Sequence, residues 1–238
     1  MTPPHILVVQ HQDDCPPAWV GRWLVEAGCR LDVRHPYAGD LLPDDLAGHD
    51  GYLVLGGSMG ANDDEQHQWL GPVKALVRDA VERSTPTLGI CLGHQLVAAA
   101  LGGESRPNPL GQQLGLLAVG WTDAAGQDPL ATGLVGAGYG VFWNDDVVVR
   151  APEGTEVLAR TPAGELQVAR FAPAAWGLQL HPEVDEQVLG VWAHDDRDRY
   201  DQGVLDSVID RVAAHREELT AGWRPLATGF AERCLAGH

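Results

Sequence analysis

The chain has 238 residues, 45% of them hydrophobic, which suits one large domain, or one domain with a tail, around a sizeable core. Lys and Arg number 16 against 33 Asp and Glu, and the formal charge of −17 sets up a field that repels nucleic acid and anionic membranes. Cys15, Cys29, Cys91 and Cys234 form no CxxC pair, so no structural zinc site is expected, and no apolar run reaches the ~18 residues of a membrane span.

The opening MTPPHILVVQHQDD has too short an apolar run and no basic start, so it does not read as a signal peptide. A cytoplasmic setting with reduced thiols is expected. HILVVQ (5–10) reads as a buried strand, and 17–29 as a helix ending near Gly28. Strands follow at 30–35 and 51–57. Between Gln66 and Glu82, Trp69, Val73, Leu76, Val77, Ala80 and Val81 repeat at the helical period. TPTLGI (85–90) is a fourth strand, and LGHQLVAAALGG a helix closed by Gly102 and Gly103. Such alternation implies a parallel sheet with helices on both faces. From 114 to 181, six strand-like runs are separated by Pro, Gly and Asp turns, and some of these are expected to pair antiparallel. Residues 203–219 read as a helix with Val204, Leu205, Val208, Ile209 and Val212 on one stripe, followed by a last short helix. The expected organisation is a domain over 1–200 with a helical extension, 201–238, packed on it. The glycine-rich GLVGAGYG (133–140) leads into a strand rather than a helix, so it reads as a loop and not a dinucleotide fingerprint.

LGICLGHQ (88–95) is the stretch with chemical content. Gly89 and Gly93 flank Cys91 at two residues on either side, between an apolar strand and a helix. This is the nucleophile-elbow pattern with sulfur in place of oxygen, a turn so sharp that side chains at the flanking positions would collide. The helix N-terminus favours the thiolate, and the Leu92 N–H is free to face a developing oxyanion.

A thiolate of this kind needs a histidine near it in space. His5, His11, His35, His49, His67, His194, His215 and His238 stand in polar or turn-like surroundings and read as solvated. His94 is within reach but lies along the helix flank. His181 ends an apolar strand, and Pro182 forces it into an extended conformation. His181 and Glu183 then project to one side, so the carboxylate can orient the imidazole. Taken alone, His-Pro-Glu is better explained as a strand cap followed by the acidic helix start PEVDEQV; beside an elbow cysteine the orienting role is preferred. The strand that ends in Gly56 and Gly57 brings further N–H groups to the same sheet edge.

Taken in order, GGSMG, TPTLGICLGHQLVAAALGG and GLQLHPE resemble the class I glutamine amidotransferases, over roughly residues 5–195. Within that family the likeness is to stand-alone proteins similar to the glutaminase domain of GMP synthase. The resemblance implies an α/β, flavodoxin-like three-layer α/β/α fold with a mostly parallel central sheet. It also implies a triad of Cys91 (nucleophile), His181 (base and acid) and Glu183 (orienter), oxyanion N–H groups from Gly57 and Leu92, and Gln95 in contact with glutamine. Two positions depart from the family pattern: Asn144 stands where relatives often carry histidine, and Gln113 where many carry glutamate.

The implied reaction is hydrolysis of the glutamine γ-carboxamide through a γ-glutamyl thioester, releasing ammonia for a separate synthase. Hydrolysis of γ-glutamyl peptides or amine conjugates is the alternative, and a silent binding module a third reading. No metal or organic cofactor is required, although Cys91, His94 and His181 could in principle form a metal site.

Overall fold

The computed structural model describes residues 2–236. The amino-terminal half alternates β1 (His5–Val9), α1 (Ala18–Glu26), β2 (Arg30–Arg34), β3 (Gly51–Val54), α2 (Leu70–Arg83), β4 (Thr87–Ile90) and α3 (Leu92–Ala100). Then come β5 (Glu104–Pro107), β6 (Gln113–Ala118), β7 (Tyr139–Asn144), β8 (Asp146–Arg150), β9 (Glu156–Arg160), β10 (Leu166–Ala172) and β11 (Ala175–Leu178). Three helices follow: α4 (Glu186–Asp195), α5 (Gln202–Ala214) and α6 (Arg216–Ala236).

Seven strands form one sheet in the order β2-β1-β3-β4-β11-β10-β9. The first five run parallel, while β10 is antiparallel to both β11 and β9. The expected antiparallel strands are therefore present at one side of the main sheet. They also occur in two separate ribbons, β5-β8 and β6-β7.

The two-residue side-chain period of the strands builds the three layers. Ile6 and Val8 enter one buried cluster with Val20, Trp23 and Leu24 of α1 and Trp223, Leu226 and Phe230 of α6. Leu7 and Val9 enter the other, with Leu70, Val73 and Val77 of α2 and Leu96 and Val97 of α3. This is the flavodoxin-like α/β arrangement, with its strand order 2-1-3-4 at the start.

The carboxyl-terminal region departs from expectation. The periodic run over 203–219 breaks at His215, and the supposed short last helix is the 21-residue α6, which carries Pro225 inside it. Of the stripe residues, Leu205, Val208 and Val212 are buried and Ile209 packs partly on the core, whereas Val204 is exposed. α6 supplies a large part of the core layer beside α1: Trp223, Leu226, Phe230 and Cys234 are each 1% exposed or less. Its packing on the sheet is close enough that a Cβ on Gly51 would come within 2.5 Å of Cys234 Sγ. The GLVGAGYG segment begins in a 3₁₀ turn over Ala131–Leu134 and runs into β7.

Candidate active site

Three neighbouring parallel strands, β3, β4 and β11, end at the same sheet edge, and each delivers one part of the site. β3 leads into Gly56 and Gly57, β4 into Cys91, and β11 into His181. The sheet order thus brings together residues as much as 125 positions apart in the chain.

Cys91 has φ 50° and ψ −106°, a conformation that costs a non-glycine residue about 1–3 kcal/mol. The elbow is held by the glycines on either side. A Cβ on Gly89 would meet the Gly93 carbonyl carbon and oxygen at 2.5 Å, and one on Gly93 would meet the Val54 oxygen at 2.0 Å. Strand β4 can therefore turn into α3 with the helix pressed directly on β3. The Cys91 N–H donates to the Leu178 oxygen at 2.8 Å, which fixes the nucleophile position to β11 as well.

His181 Nδ1 lies 2.7 Å from Glu183 Oε1, with both side chains 3% exposed. The carboxylate accepts, so Nδ1 donates and Nε2 is left for the thiol. Burial pulls the His181 pKa down, but the neighbouring Cys91 and Glu183 charges outweigh it and push it up to about 10. Trp192 packs edge-on to the imidazole, with ring centroids 4.7 Å apart. The main chain is pinned too: the His181 N–H donates to the Val141 oxygen at 2.7 Å, and the Glu183 oxygen accepts from the Trp19 N–H at 2.9 Å. Helix α4 begins only at Glu186, capped by Asp185, whose side chain accepts from the Val188 N–H. Strand β11 stops at Leu178, short of the expected end at His181, and Pro182 and Glu183 form a turn rather than an extended segment, so it is this turn that sets Glu183 against the imidazole, ahead of the helix.

The Gly56–Gly57 turn closes over the pair. A Cβ on Gly56 would lie 3.2 Å from His181 Cε1 and 3.7 Å from Cys91 Cβ, and one on Gly57 would reach Leu92 Cδ2 at 2.9 Å. Gly57 and Leu92, the two expected oxyanion residues, are therefore neighbours beside the thiol. Gln95 lines the same cavity, and its Nε2 donates to the Asp146 oxygen at 2.9 Å and to Gln179 Oε1 at 3.3 Å.

Gln179 escaped the sequence reading. Its Nε2 lies 3.6 Å from Cys91 Sγ, so it donates weakly to the sulfur. Gln179 stands two residues before His181, in the bend that follows β11, and it is this bend that brings its amide to the sulfur.

Two histidines correct the surface assignment. His11 is fully buried, accepts from Trp69 Nε1 at 3.1 Å, and has its pKa lowered to about 3, first by burial and then by His67. The His49 side chain is 9% exposed and lies 3.1 Å from Asp32. His94 is also fully buried, packed on Phe171 and against Gly177, and burial lowers its pKa to about 4. It does not join the Cys91–His181 cluster as a metal ligand: among the described residues, only His5, Asp32 and His49 bring three ligand atoms within 4.8 Å of one another. That group sits away from the thiol and is already engaged by Arg30 and Arg34. His238 lies outside the described residues.

A cavity of about 670 Å³ opens over the thiol, bounded by Gly57, Cys91, Gln95, Trp143, Asn144 and His181 among others. Of the two positions that depart from the family pattern, Asn144 lines this cavity and Gln113 pairs with it from behind. Gln113 and Asn144 are register partners on β6 and β7, and Asn144 Nδ2 donates to Gln113 Oε1 at 3.1 Å.

A strained cysteine and a buried histidine–glutamate pair thus meet on the carboxyl edge of a flavodoxin-like sheet. The family profile "Glutamine amidotransferase class-I" matches residues 18–191, and the chain belongs to that family. It is 36% identical over 109 residues to a protein of Sulfolobus acidocaldarius named as one of the subunits of glutamine-hydrolyzing GMP synthase, covering 45% of this chain and 56% of that one. It is 25% identical over 173 residues to gamma-glutamyl peptidase 5 of Arabidopsis thaliana, covering 69% of this chain and 66% of that one. A glutamine amidotransferase crystal structure from Thermotoga maritima shares the fold, with a TM-score of 0.84 at 21% identity over 96% of this chain and 98% of that one. The chain spans 22% to 57% of the length of the GMP synthases it matches. Among the described residues, no helix is long and apolar enough to cross a membrane.

Proposed function

We propose that the chain hydrolyses a γ-glutamyl amide through a Cys91 thioester. One observation carries the reading: a buried imidazole 2.7 Å from a buried carboxylate, with its other nitrogen left toward a thiol held on a strained elbow. The raised His181 pKa keeps the imidazole protonated at neutral pH, ready to supply the departing nitrogen. Sulfur attacks the γ-carbonyl carbon, the C–S bond forms, and oxygen takes up negative charge. Gly57 and Leu92 supply N–H donors there, each worth about 3–4 kcal/mol in comparable sites. The imidazolium gives its proton to the departing nitrogen as the C–N bond breaks. His181, now neutral, takes a proton from water, which cleaves the thioester to glutamate and restores the thiol. Glu183 holds the imidazole tautomer through both steps. Gln95 is assigned to the wall that contacts the glutamyl group.

With glutamine as substrate the product is ammonia, and the relative named as part of a GMP synthase supports delivery to a separate synthase. A larger γ-glutamyl amide is the second reading. It is favoured by the cavity volume of about 670 Å³, within the range that encloses drug-sized molecules, and by the relative named as a gamma-glutamyl peptidase. We further assign residues 201–236 of the expected 201–238 extension to a helical part of the same domain, since α6 completes the core layer on α1; residues 237–238 lie outside the described residues. The deciding experiment incubates the purified chain with glutamine and with γ-glutamyl dipeptides, measuring ammonia, free amine and glutamate. The reading expects release from at least one of these and labelling of Cys91 by a glutamine-like electrophile. No release and no labelling would defeat it.

A further inference from the structure

The wall of the cavity is strongly acidic. Six aspartates line it against two arginines. One of those arginines is already neutralised: Arg199 donates to both Asp145 oxygens, at 2.9 and 3.0 Å, and to Asp196 at 3.3 Å. The other, Arg106, has no carboxylate partner among the described residues, and it suits the α-carboxylate that every γ-glutamyl compound carries.

Two of the aspartates reach the cavity from different elements. Asp63 belongs to the loop between β3 and α2, where its Oδ2 accepts from the Gly60 N–H at 2.7 Å. Asp146 opens β8, and its carboxylate has no hydrogen-bond or ion-pair partner among the described residues. Burial raises the Asp146 pKa, and the charges of Asp145 and Asp63 raise it further, so the carboxylates crowd one region. Left alone they repel one another, and a bound cation would relieve this.

An independent feature points to the same kind of ligand. Asn144 lines the cavity and is 5% exposed, and its Oδ1, itself buried, has no hydrogen-bond partner among the described residues. The amide orientation is fixed, because Nδ2 donates to the Asp146 main-chain oxygen at 3.1 Å, an atom that can only accept. A buried acceptor without a donor is costly until an N–H arrives.

We propose that the cavity takes γ-glutamyl amides whose amine half carries a second, cationic amino group, held between Asp63 and Asp146 with Asn144 as a neutral acceptor. The proposal rests on the thioester reading above and names its substrate class. In the acylation step the C–N bond breaks, the C–S bond forms, and the diamine leaves with the proton given up by His181.

The test compares kcat/KM for three γ-glutamyl amides that share the glutamyl half, so that its own ammonium and carboxylate cancel. The amines are 1,4-diaminobutane (cationic), pentylamine (neutral, of similar length) and 4-aminobutyrate (anionic). The cationic conjugate should exceed the neutral one by about tenfold or more, the size of a hydrogen-bonded charge contact, and the anionic one should be poorest. Raising salt from about 0.05 M to about 0.5 M should shrink the gap. Asp146→Asn and Asp63→Asn should each pull the cationic-to-neutral ratio toward one. If either variant fails to fold, the salt dependence of the wild-type ratio decides. A wild-type ratio near or below one, or a preference that neither variant nor salt alters, overturns the proposal and leaves the hydrolase reading intact. Cleavage of none of the three, without Cys91 labelling, overturns both.

Discussion

Cys91 and Cys234 are both buried thiols, 6% and 1% exposed, and both stand where a glycine lets a helix press on the sheet. Their surroundings differ. Cys234, at the end of α6, packs against Gly51, Ile6 and Phe230, and burial drives its pKa far up. Cys91 sits on a strained elbow with His181, Gln179 and the Gly56–Gly57 turn around its sulfur. Burial alone does not decide what a cysteine does. What decides is whether the neighbouring groups can hold charge.

That contrast can be broken most sharply by deleting each thiol. Cys91→Ala should lower amide hydrolysis by at least about 10³-fold, as expected when a nucleophile is removed. Cys234→Ala should leave kcat within about twofold and cost ~1–3 kcal/mol in urea unfolding, through the cavity it opens. Equal losses of activity in both variants would end the distinction.

Removing the charge on the far side of the imidazole comes next. Glu183→Gln should cut kcat/KM by about 10²–10⁴-fold, because the imidazolium loses its partner and the ring its fixed tautomer. A loss below tenfold would argue that Trp192 packing alone orients the ring.

Two glycines in opposite surroundings sharpen the structural half of the comparison. Gly93→Ala forces a methyl into the Val54 oxygen and should cost ~3 kcal/mol or more, with activity lost alongside. Gly190, inside α4, has nothing within 4 Å of its missing Cβ, and Gly190→Ala should stabilise by ~0.5–1 kcal/mol. Chemical denaturation measures both.

The buried histidines give the finest test. His11 and His94 have pKa values lowered to about 3 and about 4. As pH falls below 6.5 the unfolded chain takes up protons that these rings refuse, so stability falls by ~1.4 kcal/mol per pH unit for each. His181 has the opposite sign. Its contribution is fully present below pH 6.5 and is lost as pH rises toward about 10. His94→Leu should flatten the acid limb of the stability curve. Cys91→Ala should weaken the alkaline one by removing the thiolate charge that lifts His181.

Much of this molecule could be read from the chain. The alternation of apolar runs with helical stripes fixes the parallel half, and Gly89-Ile90-Cys91-Leu92-Gly93 with His181-Pro182-Glu183 carries the cluster. What escaped did so because tertiary contacts override local pattern. His11 lies in the polar run QHQDD, yet Trp69, 58 residues away, supplies its hydrogen bond. Gln179 lies two residues before His181, but nothing in the sequence says that the chain bends there and meets the Cys91 sulfur. Pro225 normally ends a helix, and α6 runs through it because Trp223, Leu226 and Phe230 are sealed against the core on either side.

The adjacency of β3, β4 and β11 has a dynamic consequence. The Cys91 amide proton goes to Leu178 on β11 and the His181 one to Val141 on β7 of the separate ribbon, so the first exchanges only when the sheet parts and the second only when the ribbon lifts from it. In deuterated buffer both should be among the slow protons of the chain, the Cys91 one released with the centre of the sheet. Partial fraying at the edges of the fold would then leave the chemistry untouched until the whole domain comes apart.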